Sequence, residues 1–220
     1  MWDPDAESEP AAVPPPPSGV DADAAMALDV EACVAILEQW GVPYEAAEDA
    51  PESIEMPIRL TGPVEGVSFV IPWAVSNHHD VLDCRLAVVL TEWAVLLRQA
   101  DIVEVRIFSF YRQGERRGVS SGAAGRLSQH NFGLAVDAGW FVLADGTVLD
   151  VRADFALESD AGETCDAEPS NARSAVLVGA FCDAWDAGLF HVQLSPEHNR
   201  EHRNHFHMDI GGGGGGRYID

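Results

Sequence analysis

The sequence predicts an α+β fold, a small, mainly antiparallel sheet with flanking helices. Three observations carry this. Apolar residues recur at helical spacing over 29–40, 83–98 and 172–186. Ile102–Phe110 alternates, with Val103, Val105 and Ile107 on one face and Glu104, Arg106 and Phe108 on the other. An Asp145-Gly146 turn joins Leu134–Leu143 to Thr147–Val151 as a hairpin.

Residues 1–24 read as a disordered, acidic, Pro-rich tail around Pro14–Pro17. Such a segment is an extended spacer, either a stalk to a membrane or lipid anchor or a bare tail. The folded domain is expected over 28–210. Val30, Cys33, Val34, Leu37 and Trp40 form its first helix, stopped at Gly41. Residues 42–62 read as irregular, and Val67–Ile71 as a strand. Asn77-His78-His79-Asp80 is polar and exposed, and its histidines lack the further ligands a metal needs. Asp83 caps a central helix through Cys84, Leu86, Leu90, Trp93 and Leu97 that is apolar nearly all round and therefore buried. Gln113–Leu127, with four glycines and three arginines, is a binding loop, a lid or a solvated loop. Then come an acidic loop (152–171), the 172–186 helix, a short strand Phe190–Leu194, a histidine-rich turn Pro196–Asn204 and a last strand His205–Ile210. A Gly-rich tail, 211–220, closes the chain.

The 220 residues are 47% hydrophobic, enough for one domain with a sizeable core. Against 36 acidic residues stand 13 basic ones, all arginine, for a formal charge of −23. That field excludes general binding to nucleic acid and to anionic membranes. The longest apolar stretch, Leu86–Leu97, is broken by Thr91 and Glu92 and is too short to span a bilayer. Cys33, Cys84, Cys165 and Cys182 have no zinc-motif spacing, and an even count fits two disulfides as well as buried thiols. On the disulfide reading Cys33 pairs with Cys84 between two helices, leaving Cys165 with Cys182, in an oxidising compartment. No signal peptide is expected in this chain, because no basic region and apolar run open it. That leaves either a lost or missed export signal or a cytosolic protein with reduced thiols.

The candidate site lies in Ser128–Asp137 and His205-Phe206-His207. His130 and Asp137 are seven residues apart, and His205 and His207 leave one strand face together. A buried Asp137 beside Leu134 and Val136 requires a cationic partner. Two imidazoles and a carboxylate are the donors a catalytic zinc takes, with a fourth position for water.

Ser128-x-His130-x-x-Gly133-x-Ala135-x-Asp137 followed by His205-x-His207 resembles the signature of the zinc D-alanyl-D-alanine carboxypeptidases, the superfamily of lysostaphin-type endopeptidases and hedgehog domains. More closely, Cys84, Leu86, Ala87, Leu90 and Trp93, with Leu194, Pro196, Asn199, His202, Arg203, His205, Phe206, His207 and Asp209, resemble the extensin-like C-terminal domain of bacterial envelope proteins. The resemblance implies a hedgehog/DD-peptidase-like fold over 28–210, with Zn2+ held by His130, Asp137 and His207. It implies that His205 acts on the attacking water, and that Ser109, Tyr111 and Arg112 bind substrate, the arginine gripping a carboxylate or carbonyl. Asp209 is either a partner of a ligand histidine or an exposed acid. Glu201 and His202 are the candidates for the general base. The substrate class implied is a peptidoglycan stem peptide, in the periplasm or outside the cell. The alternative is a zinc-holding binding or structural domain of the envelope without catalysis. The chain departs from the family at Phe110-Tyr111-Arg112, where relatives carry a cysteine, and Cys165 is the substitute partner.

Overall fold

Asp83 starts the element around which the fold is packed. Its carboxylate caps the helix by accepting from the Arg85 N–H, and also accepts from the Met56 N–H and the Arg85 guanidinium. The computed structural model describes residues 19–73, 77–114, 128–158, 164–211 and 216–220. The helices are α1 (Ala22–Met26), α2 (Val30–Gln39), α3 (Cys84–Gln99), α4 (Val151–Asp154) and α5 (Ala172–Asp186). The strands are β1 (Tyr44–Ala46), β2 (Pro57–Leu60), β3 (Ser68–Val70), β4 (Leu82–Asp83), β5 (Ile102–Ile107), β6 (Ala135–Leu143), β7 (Val148–Asp150), β8 (Val192–Leu194), β9 (Phe206–Asp209) and β10 (Tyr218–Ile219).

Helix α3 is buried on nearly every side. Trp93 at its middle is in ring contact with Phe69, Phe141 and Phe190, and its indole N–H donates to the Ala180 carbonyl on α5 at 3.0 Å. That one side chain ties both long helices to the main sheet. The sheet has seven strands in the order β10-β8-β9-β6-β5-β3, with β7 beside the second half of β6. It is mixed, because β3–β5 and β8–β10 run parallel while the remaining pairs are antiparallel.

The fold is α+β, as expected, with three differences in detail. A second sheet, β1-β2-β4, occupies part of the stretch read as irregular. Its strands are two to four residues long, and β2 opens on Pro57, so no alternation accumulates in the sequence. In β5 the buried face is Ile102, Val105 and Ile107, with Val103 half-buried. The register shifts between Ile102 and Glu104, and the extra residue at this bulge reverses the alternation. The folded body also reaches further at both ends. Ala22 of α1, within the segment read as tail, and Ala25 just after it are buried in the core, and β10 pairs with β8 inside the predicted Gly-rich tail. Residues 1–18, most of the 113–127 loop and Gly212–Gly215 lie outside the described residues.

Both disulfides form as paired in the sequence reading, Cys33–Cys84 between α2 and α3, and Cys165–Cys182 onto α5. The first closes a loop of 51 residues and the second one of 17. In the chain-entropy account these stabilise by about 4 and about 3 kcal/mol. A Cys33→Ala/Cys84→Ala double variant is therefore expected to melt about 10 °C lower, read by calorimetry. An unchanged melting temperature would show that α2 docks without the crosslink. Among the described residues no helix is long and apolar enough to cross a membrane.

Candidate metal centre

Strands β6 and β9 run antiparallel with Asp137 opposite His207. Directly opposed residues share a sheet face, so this register alone puts the carboxylate against the imidazole across 70 residues of chain. His130 arrives from a 3-10 turn, Gln129–Phe132, that ends at Gly133 with φ +65°. A Cβ at Gly133 would sit 2.8 Å from the backbone nitrogen of Asp83, and that nitrogen donates to the Gly133 carbonyl at 3.0 Å. Only glycine permits both the left-handed conformation and this approach. The turn is thereby pinned to the start of α3.

Three atoms converge. His130 Nε2 is 3.0 Å from Asp137 Oδ1, His207 Nδ1 is 3.0 Å from the same oxygen, and the two nitrogens are 3.2 Å apart. All three side chains are buried. The outward nitrogens are already engaged. His130 Nδ1–H donates to the Phe110 carbonyl at 2.8 Å, and His207 Nε2–H to Asp209 Oδ2 at 3.3 Å. With those protons held outward, the inner nitrogen of each ring is the one that can give its lone pair to a metal, the arrangement that outer partners impose on metal-binding imidazoles. Ligands at zinc distance in a tetrahedron stand about 3.3 Å apart. Among the described residues this is the group of histidines and acids that could hold a metal ion, and its donor set suits zinc.

The electrostatics agree. Burial opposes charge on all three groups. At Asp137 the charges and hydrogen bonds of His130 and His207 overcome it and hold the carboxyl well below the usual range. At His207 the hydrogen bonds and charges of Asp137 and Asp209 overcome burial and push the imidazole up to about 9. His130 goes the other way, burial lowering its pKa despite Asp137. The cluster thus attracts positive charge, and one divalent cation would satisfy all three inward atoms at once.

An open pocket of about 310 Å³ lies over the cluster, lined by Trp73, His79, Phe108, Ser109, Arg112, Asp137, Asn204 and His205. His205 Nε2 is 3.4 Å from Asp137 Oδ1, and its Nδ1–H donates to Asn204 Oδ1 at 3.0 Å. Burial lowers its pKa, so the ring is a neutral base turned toward the site. Arg112, half exposed, donates to Asp137 Oδ2 at 2.7 Å. Residues 31–218 match the family described as extensin-like protein C-terminus. The chain belongs to the extensin-like C-terminal family. No curated protein and no solved structure matches it.

In this extensin-like domain six of the sequence-derived residues other than the cysteines meet at one pocket floor or in its wall: Asp137, His205, Ser109 and Arg112 line it, and His130 and His207 complete the cluster beneath. Three others stand apart. Tyr111 is buried with Ala47, Ile54 and Val81 in a separate apolar cluster and faces a neighbouring pocket. In an extended segment it points away from both of its neighbours' sides, which spacing to Arg112 conceals. Glu201 is exposed on the turn before β9, where its N–H donates to Asn199 Oδ1, and it does not line the pocket. His202 is buried behind the site, with its ring 5.3 Å from that of His205 and 5.7 Å from that of His207, and its Nδ1 bonded to Asn199. It buttresses those rings without reaching the pocket. Asp209 is buried against His207 and is therefore not an exposed acid. Sequence reasoning missed Asn204, Trp73 and Phe108 as pocket residues. Asn204 could have been found from its place beside His205.

Proposed function

We propose that this domain is a zinc-dependent peptide hydrolase of the D-alanyl-D-alanine carboxypeptidase type, acting on peptidoglycan stem peptides in the cell envelope. The observation that carries the reading is the triad of inward-facing, buried acceptor atoms at the floor of an open pocket, with a neutral imidazole beside it. His130, Asp137 and His207 would hold the zinc. When bound, zinc supplies a Lewis acid that polarises a carbonyl and makes water acidic near neutral pH. His205 Nε2 takes the proton of the attacking water and returns it to the leaving amine as the C–N bond breaks. Asn204 fixes the tautomer that makes this possible. Arg112 spends part of its fork on Asp137 and offers the rest to a substrate carboxylate. Ser109 Oγ is buried and, among the described residues, has no hydrogen-bond partner, so it is available to the same group. Two disulfides fit an oxidising compartment outside the cytosol.

A second reading, a zinc-holding binding domain without catalysis, draws on one observation. Among the described residues Asp137 is the only carboxylate lining the pocket, and Glu201 is turned to solvent. One experiment separates these readings. Elemental analysis of the purified chain is expected to find one zinc, and the loaded protein to release D-alanine from a stem pentapeptide. Zinc without turnover on any stem peptide supports the binding domain, and a chain that takes up no zinc sinks both.

A further inference from the structure

The pocket has an aromatic wall that hydrolysis as such does not need. Trp73 is 41% exposed, unusual for so large a ring. It stands 5.5 Å from Phe108 and 6.4 Å from Trp140, which are 5.0 Å from each other. Phe108 in turn meets the His205 ring edge-on at 5.6 Å. The three rings form one aromatic cluster, inclined to one another by 41° to 77°; Trp73 and Phe108 line the pocket, Trp140 backs them, and Phe108 leads to the candidate catalytic base. Gly139 makes room for Phe108, since a Cβ there would lie 2.7 Å from its ring. The rest of the lining is polar: His79, Ser109, Arg112, Asp137, Asn204 and His205.

A ligand that fills this space needs an apolar face and a polar edge. An aliphatic or aromatic side chain would cover Trp73 but leave the buried Ser109 hydroxyl unmatched. Among the described residues an anion meets one cation in the lining, Arg112, already paired with Asp137, in a chain of formal charge −23. A cation meets that same arginine and no unengaged carboxylate in the pocket lining. A neutral sugar ring satisfies both walls, with C–H groups on the indole and hydroxyls on the polar side.

We propose that Trp73, Phe108 and Trp140 form a saccharide subsite beside the metal centre, so that the substrate is a peptide still joined to its glycan. This deepens the hydrolase reading and rests on it only for the cleavage. The test is binding of tri-N-acetylchitotriose to the zinc-loaded full chain, by calorimetry and saturation-transfer NMR. The wild type is expected to bind weakly but saturably. Trp73→Ala is expected to weaken binding about tenfold at unchanged melting temperature, with Trp73→Phe keeping most of it. No binding by the wild type, equal binding by Trp73→Ala, or preference for N-acetylphenylalaninamide over the saccharide would each overturn the subsite. Binding without any peptide hydrolysis removes the hydrolase reading alone, and hydrolysis without saccharide binding removes the subsite alone.

Discussion

Asp137→Asn is expected to empty the metal centre. Asp137 Oδ1 is the atom that His130, His207 and His205 all approach, and Oδ2 receives Arg112. An amide keeps the shape but loses the charge that makes the cluster attractive to a cation. Zinc affinity should fall by about 10³-fold or more, because a lost ligand costs more than the 10–100-fold of a lost outer partner. The metal-free variant should also be less stable than the metal-free wild type, by about 3 kcal/mol, since buried histidines and a guanidinium lose their counter-charge. Equilibrium dialysis with zinc and melting curves with and without metal read the two effects. One tightly held zinc per chain in the variant would show that the ligands lie elsewhere.

His205→Ala should instead separate metal from chemistry. His205 lines the pocket and touches the cluster only at 3.4 Å from Asp137, so zinc should remain at one per chain. The rate constant kcat should fall about 10²–10⁴-fold, the usual contribution of a positioned proton-transfer group. Glu201→Ala, on the exposed turn, should leave kcat within about twofold, as a distant surface change does. The reverse pattern, an inert Glu201 variant and an active His205 one, would place the base on a segment that rearranges when substrate binds.

The cluster of His130, Asp137 and His207 was legible because its residues sit in regular surroundings. His207 alternates along a strand, Asp137 does the same, and the small residues between His130 and Asp137 mark a tight approach. Long elements were equally plain: Asp83 caps α3 as its position in the sequence suggests, and α5 runs from Ala172 to Asp186. Orientation within irregular segments was not. Tyr111 and Arg112 are neighbours, yet they serve different pockets, since successive residues of extended chain face opposite ways. Glu201 and His202 are likewise adjacent, one in solvent and one buried. The bulge at Val103 has no sequence mark of its own, because valine suits either face of a strand.

The facing of Asp137 and His207 across β6 and β9 has a consequence for folding and quality control. Side chains alternate with a period of two, so a slip of one residue between these strands would send His207 through to the helix side and bring Met208 into the cluster. No misregistered chain can assemble the triad. Tight zinc uptake by this domain therefore certifies that its last long-range strand pairing has been made correctly, and a metal titration doubles as an assay of native register.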